Sequence, residues 1–76
     1  MEFEKIAEII AEQMNVNVKK ITADTSFADD LGADSLDLFQ IISELEEEFD
    51  IEFSNEMAEK IKTVGDAAEY IKKALE

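Results

Sequence analysis

Residues 35–49 read SLDLFQIISELEEEF, and this stretch decides the fold of the chain. Its apolar residues recur every three or four positions, which is the spacing of an amphipathic helix. They are Leu38, Ile41, Ile42, Leu45 and Phe49. The pattern therefore predicts a helix over residues 35–49 with one face turned toward a core. Leu36 and Phe39 fall outside that stripe, so they predict an exposed apolar contact surface.

Three further segments show the same helical spacing. The first runs from about Glu2 to Met14, and a short one follows the N-cap residue Ser54 and ends near Lys60. The last begins at Thr63-Val64-Gly65-Asp66, which has the Thr-x-x-acid form of a capping box. The chain has no proline and little strand-like alternation. The prediction is an all-α four-helix bundle with a long first loop and a short third helix.

Residues 16–33 form the long connection between the first two helices. Val16-Asn17-Val18 alternates like a strand, but no other segment offers it a partner, so a loop is predicted here. Gly32 allows the chain to bend just before the second helix. Five apolar residues are expected to anchor the connection against the bundle: Val16, Val18, Ile21, Phe27 and Leu31.

The length of 76 residues predicts a single small domain, residues 1–76, with a modest core. Because there is no cysteine, neither a disulfide nor a thiolate–metal site can supplement that core. The first five residues lack the basic start and apolar run of a signal peptide, and no stretch approaches membrane-spanning length. We therefore expect a cytoplasmic monomer that does not insert into a membrane.

The net charge is −13, from 20 acidic and 7 basic residues. Every charged residue between Lys20 and Lys60 is acidic, and a run of like charge is typical of a solvated face. Here the acids surround a helix with exposed apolar residues, which equally favours electrostatic steering toward basic partners. Nucleic acids and anionic membranes are disfavoured as partners because both are negatively charged.

The residue types that are missing disfavour both catalysis and metal binding. The chain has no histidine and no cysteine, so it lacks the usual activated nucleophiles and the usual soft or imidazole metal ligands. Residues 29–34, DDLGAD, lack the alternating acids and the final glutamate of a calcium loop. We expect no enzyme and no specific metal site, whereas weak, non-specific binding of divalent cations by these carboxylates remains open.

Ser35 has two interpretations. Serine is a favoured N-cap, as is aspartate, so either Ser35 or Asp34 could simply cap the second helix. Alternatively, Ser35 is an attachment point, because free N–H groups and the helix dipole would stabilise a phosphate ester at a helix N-terminus. Nothing in the chain would activate the hydroxyl strongly, so a separate enzyme would have to form that ester.

Residues 29–37, DDLGADSLD, followed by residues 44–50, ELEEEFD, resemble the acyl carrier proteins of type II (dissociated) fatty acid synthesis. The resemblance extends over the whole chain. It implies that Ser35 receives 4′-phosphopantetheine from coenzyme A through a separate Mg²⁺-dependent transferase. The thiol of that arm would carry growing fatty acyl chains as thioesters. Asp34 matches the acidic residue that helps to present the serine.

The resemblance also implies partners, namely the phosphopantetheinyl transferase, fatty acid synthesis enzymes with basic docking patches, and acyltransferases. The helix after Ser35 resembles the recognition helix of the family. Its expected contact residues are Leu36, Asp37, Phe39, Gln40, Glu46 and Glu47. Gln40 stands where many members carry glutamate, Phe39 is bulkier than usual, and Phe53-Ser54 replaces a frequent apolar–proline pair.

Members of this family sequester acyl chains among their helices, so the resemblance implies an acyl pocket. Its lining would come from Leu38, Ile42, Leu45, Phe49, Ile61, Ala67 and Ile71. The same residues are also simply the core, and the sequence does not separate the two roles.

Two other functions stay open. Polyketide, peptidyl and D-alanyl carriers share the fold and the modified serine, although the acid-rich run over residues 44–48 favours fatty acid synthesis. The chain could also be an acidic interaction module in which Ser35 only caps a helix.

Overall fold

Four α-helices make up most of the computed structural model, which describes residues 2–76; Met1, part of the N-terminal pattern considered above, lies outside them. They are α1 (Glu2–Met14), α2 (Ser35–Phe49), α3 (Asn55–Lys60) and α4 (Val64–Leu75). The predicted all-α bundle with a short third helix is therefore confirmed. Over residues 2–76, no helix is both long enough and apolar enough to cross a membrane.

The core lies where α2 and α4 pack against α1. Each of these three helices contributes two large side chains that are fully buried, namely Ile6, Ile10, Ile41, Leu45, Val64 and Ile71. Burial of one such side chain stabilises a fold by about 1.5–3 kcal/mol. The apolar stripe predicted for α2 is confirmed, since Ile41, Ile42 and Leu45 are buried and the two end residues of the stripe are half-buried.

The long connection differs from its prediction in two respects. One turn of 3-10 helix, Val18–Lys20, interrupts the predicted loop because the side chain of Asn17 accepts a hydrogen bond from the Lys19 N–H at 2.9 Å. Val16 and Val18 are 36% and 40% exposed, so the prediction that they anchor the connection is wrong. The chain leaves α1 through a left-handed residue, Asn15 (φ 57°), and Val16 before the short helix and Val18 at its first position are both exposed.

The remaining anchors hold the connection against the bundle. Ile21 and Phe27 are buried as predicted, and Leu31 is half-buried. A buried threonine, Thr25, accepts a hydrogen bond from the Thr22 N–H at 2.9 Å.

The start of α4 is fastened to this connection by backbone hydrogen bonds. The first N–H groups of a helix have no intrahelical partner. Here the N–H of Val64 donates to the Thr25 carbonyl and the N–H of Gly65 donates to the Ala23 carbonyl, both at 2.9 Å. The Phe27 N–H also donates to the Lys62 carbonyl at 3.0 Å. The connection that leads into α2 is thus positioned by α4.

Asp66 completes the cap of α4, as the sequence predicts. Its carboxylate accepts hydrogen bonds from the backbone N–H groups of Lys62 at 3.0 Å and Thr63 at 3.1 Å. These bonds favour the ionised form and lower the pKa of Asp66, the bond from Lys62 contributing most.

We expect Gly65→Ala to destabilise the protein. A Cβ atom at this position would lie 2.8 Å from the backbone oxygen of Ala23, and overpacking of this kind costs about 1–3 kcal/mol. Helix propensity alone predicts the opposite sign, because alanine is favoured over glycine by about 1 kcal/mol within a helix. Urea denaturation followed by circular dichroism measures the free energy of unfolding. A variant more stable than the parent would contradict the close approach of Gly65 to Ala23.

Candidate functional site

The first residue of α2 is Ser35, and the residue that caps the helix is Asp34. The Asp34 Oδ1 accepts a hydrogen bond from the Asp37 N–H at 2.9 Å, and Asp37 Oδ2 accepts one from the Asp34 N–H at 3.3 Å. This reciprocal arrangement is a capping box. Of the two capping candidates predicted from the sequence, the structure therefore selects Asp34.

The hydroxyl of Ser35 is consequently free. Ser35 is exposed, and its Oγ makes no hydrogen bond with any residue between 2 and 76. The serine sits in the first turn of a 15-residue helix, where unpaired N–H groups and the helix dipole favour an anion. A phosphate ester on this oxygen would break no contact of the folded chain.

A tight turn brings the chain to Ser35. Gly32 has a φ of 65°, a left-handed conformation that glycine adopts without strain. The Ala33 N–H donates to the Phe27 carbonyl at 2.8 Å, and the Asp30 carboxylate accepts from the Ser26 N–H at 2.7 Å. Two acids of the motif, Asp30 and Asp34, thus bind backbone N–H groups and shape the approach to the serine.

An open groove of about 380 Å³ lies beside Ser35. Its apolar part comes from the connection, from Leu38 of α2 and from Ile61, the residue after α3. Its polar part includes Lys62 and the carboxylates of Asp29, Asp34 and Glu59. Ser35 is one of the residues that line this groove, and its mixture of apolar and polar walls suits a ligand that has both a charged end and apolar groups.

The seven residues predicted to line an acyl pocket are not all in this groove. Leu38 and Ile61 line it. The others are closed into the bundle: Ile42, Leu45, Ala67 and Ile71 are buried, and Phe49 is half-buried against the core. In this structure they are core residues.

The face of α2 that carries Leu36 and Phe39 is open to solvent. These two side chains are 67% and 64% exposed, the highest values among the large apolar residues that the structure describes as exposed. The predicted exposed apolar surface on α2 is therefore confirmed. Glu47 is exposed as well, and Asp37 is half-buried as part of the capping box.

Glu46 has a structural contact that the sequence pattern does not indicate. Its Oε2 accepts a hydrogen bond from the backbone N–H of Phe53 at 2.7 Å, and the residue is half-buried. The Phe53 ring in turn stacks on Tyr70 at a centroid distance of 4.4 Å, and the Tyr70 hydroxyl donates to the Glu52 carbonyl at 2.7 Å. One carboxylate oxygen of Glu46 thus holds the loop between α2 and α3. This hydrogen bond uses one acceptor position of the carboxylate and restricts how the side chain can turn.

Gln40 is also engaged within the chain. Its amide oxygen accepts a hydrogen bond from the side-chain amide of Gln13 in α1. The partner residue is 27 positions away, so no helical or local pattern in the sequence could have indicated it.

Most acids of α2 have no cation beside them. Among residues 2–76, two ion pairs form: Lys5 Nζ lies 3.7 Å from Glu48 Oε2, and Lys73 Nζ lies 3.3 Å from Glu69 Oε1. Both pairs are largely exposed, and such pairs contribute little to stability. The remaining negative charge of the helix is available to attract a basic surface.

Comparison with known proteins identifies the relatives of this chain. A family profile described as "Phosphopantetheine attachment site" matches residues 4–71, which include Ser35. The acyl carrier protein of Clostridium acetobutylicum is 54% identical over 72 residues, covering 95% of this chain and 94% of that protein. The solved structure of the acyl carrier protein from Enterococcus faecalis superimposes with a TM-score of 0.82 at 40% identity, covering 96% of this chain and 92% of that one.

Proposed function

Because the chain belongs to the acyl carrier protein family, we propose that it carries growing fatty acyl chains in the cytoplasm, bound as thioesters to a 4′-phosphopantetheine arm on Ser35. Residues 1–76 would work as one carrier domain. The arm supplies the reactive thiol that this cysteine-free chain lacks. The observation that carries the proposal is the free, exposed hydroxyl of Ser35 in the first turn of α2.

The residues around Ser35 support attachment by a separate enzyme. The chain has no histidine to serve as a base, so the hydroxyl is not activated from within. Asp34 takes over the capping role, which leaves the Ser35 oxygen available without loss of the helix. The first turn of α2 then favours the charged phosphodiester once it is formed.

The intact mass of the purified chain tests this proposal. It is measured before and after incubation with coenzyme A, Mg²⁺ and a phosphopantetheinyl transferase, and a peptide digest locates the added mass. We expect a gain of one arm on the peptide that contains Ser35. An unchanged mass, or a gain on another peptide, would remove the carrier function.

A panel of loading enzymes tests the choice of pathway. The arm-bearing protein is offered to acyltransferases from fatty acid, polyketide, peptidyl and D-alanyl systems under identical conditions. We expect the fatty acid enzymes to give the highest kcat/KM, because the acidic face of α2 suits their basic docking patches. Faster loading by another system would reassign the pathway while keeping the carrier function.

The docking face that we propose consists of the exposed side of α2. Its residues are Leu36, Asp37, Phe39, Gln40, Glu46 and Glu47. Leu36 and Phe39 would pack against the rim of a partner site, and the carboxylates would attract its basic residues. The contacts of Gln40 with Gln13 and of Glu46 with Phe53 N–H limit how far these two side chains can turn toward a partner.

We expect Leu36→Ala to lower kcat/KM of the transferase for the protein by about tenfold, which corresponds to about 1.4 kcal/mol of lost contact. Leu75→Ala is the matched control, since Leu75 is 47% exposed but lies at the end of α4, away from the proposed face. Steady-state kinetics with each variant measure the effect. Equal effects of the two substitutions would contradict a docking role for Leu36.

An acyl chain held inside the bundle is the remaining part of the proposal. Leu38 and Ile61 line the groove beside Ser35 and would form the entrance. None of the residues within α3 is buried, so moving this helix away from the core costs little apolar burial.

Methyl NMR of the octanoylated protein tests this acyl pocket. We expect the resonances of Leu45 and Ile71 to shift relative to the arm-bearing protein without an acyl group. Unchanged core resonances would mean that the chain stays outside the bundle.

A further inference from the structure

Lys62 lines the same groove as Ser35, although it lies much later in the sequence, between α3 and α4. We propose that this groove holds the proximal half of the arm and that the Lys62 ammonium group pairs with its phosphodiester. The inference rests on the proposed attachment at Ser35 and names the residues that orient the arm once it is attached.

The charges of the groove single out Lys62. Three carboxylates line it, those of Asp29, Asp34 and Glu59, and a phosphodiester adds a further negative charge among them. Of the described residues that line the groove, Lys62 is the one cation. An attractive charge at this position offsets the repulsion that the acids would exert on the arm.

The backbone of Lys62 is fixed at the edge of the groove from both sides. Its N–H donates to the Asp66 carboxylate at 3.0 Å, and its carbonyl accepts from the Phe27 N–H at 3.0 Å. The side chain itself is exposed and takes part in neither of the ion pairs found over residues 2–76. Lys62 therefore has a backbone that is fixed at the groove and an exposed ammonium group that forms no ion pair in that part of the chain, although its charge also helps to lower the pKa of Asp66.

The apolar part of the groove suits the part of the arm that follows the phosphate. Phe27, Leu38 and Ile61 contribute to it, together with two alanines of the connection, Ala28 and Ala33. The pantetheine portion begins with a branched apolar segment, and its burial against these side chains is favourable. The phosphodiester would thus lie beside Lys62, and the apolar segment would lie against the apolar side chains of the groove.

A neighbouring lysine provides the matched control. Lys60 lies at the end of α3, only two residues before Lys62, and is exposed in the same way. It lines a different groove, together with Met57 and Tyr70, and Ser35 does not belong to that groove. Lys62→Gln and Lys60→Gln therefore change the net charge equally but differ in whether they alter the proposed site.

The experiment compares the parent protein, Lys62→Gln and Lys60→Gln by phosphorus NMR of the arm-bearing forms and by amide NMR before and after loading. In the parent we expect loading to shift the amide resonances of Ala28, Ile61 and Lys62. Lys62→Gln should move the phosphorus resonance and reduce the shifts of Ala28 and Ile61, whereas Lys60→Gln should leave both unchanged. Because exposed ion pairs are screened by salt, the difference between parent and Lys62→Gln should shrink in about 1 M salt.

Each outcome decides a separate claim. The role of Lys62 and the groove would be overturned if the two variants had the same phosphorus resonance and the same loading-induced amide shifts. Loading shifts confined to the neighbours of Ser35 would overturn it as well. Either result would leave the carrier function intact. Absence of any mass gain at Ser35 would overturn both. Circular dichroism of Lys62→Gln checks that the fold is retained, so that a spectral change is not mistaken for unfolding.

Discussion

Ser35→Ala is expected to abolish the mass gain with coenzyme A and transferase completely while leaving the fold unchanged. The substitution removes the one oxygen to which the arm would be attached. It breaks no hydrogen bond between residues 2 and 76, because Asp34 rather than Ser35 caps α2. We therefore expect the free energy of unfolding to change by no more than about 0.5 kcal/mol, as for an ordinary surface substitution.

Ser43→Ala is the matched control for this experiment. Ser43 is exposed on the same helix, two turns beyond Ser35, and it should load as the parent does. Intact mass measures loading, and urea denaturation measures stability. Loading of the Ser35→Ala protein would contradict Ser35 as the proposed site. A large loss of stability would contradict the conclusion that the Ser35 hydroxyl makes no stabilising contact.

Leu45→Ala is expected to give the largest loss of stability. Leu45 is fully buried in α2, in the core cluster that includes Ile10 and Ile71. Truncation of a buried leucine leaves a cavity and costs about 2–5 kcal/mol. The free energy of unfolding expected for a 76-residue domain is about 4–11 kcal/mol. The substitution should therefore remove a large part of the total and lower the melting temperature markedly.

Leu36→Ala is the control for Leu45→Ala, because it makes the same chemical change on the same helix. Leu36 is 67% exposed, so its truncation should change the free energy of unfolding by only about 0.5 kcal/mol. Paired urea titrations of the two variants give the comparison. Similar losses for both would mean that α2 does not present Leu45 to the core and Leu36 to solvent.

The helices could be read from the sequence because their signals are local. The apolar spacing of α2 is contained within 15 residues, and its buried members are those that the spacing selects. The capping box at Thr63 and Asp66 is contained within four residues, and it forms as predicted. The exposure of Leu36 and Phe39 follows from the same periodicity, since residues off the stripe cannot face the core.

Other features depend on residues that the sequence keeps apart. The sequence pattern indicates that Glu46 is one more surface acid, whereas in the fold its carboxylate accepts a hydrogen bond from the Phe53 N–H. From the sequence, Gly65 is only a residue of low helix propensity, whereas in the fold it lies so close to the Ala23 carbonyl that there is no room for a Cβ atom. Val16 and Val18 are apolar, so the sequence predicts that they are anchors, but the turn at Asn15 and the short helix at Val18–Lys20 leave both exposed.

By itself, the sequence determined the four helices, the core stripe of α2 and, through its resemblance, the serine that we propose as the attachment point of the arm. The sequence left two neighbouring capping candidates for α2, and the structure selects Asp34, so the Ser35 hydroxyl stays free. Only the tertiary structure decided that Ser35 and Lys62 share one groove and that the Phe53 N–H meets Glu46. The reason is the range of the interactions: periodicity and capping act within a few residues of one another, whereas a groove depends on how the connection, α2 and the start of α4 pack together.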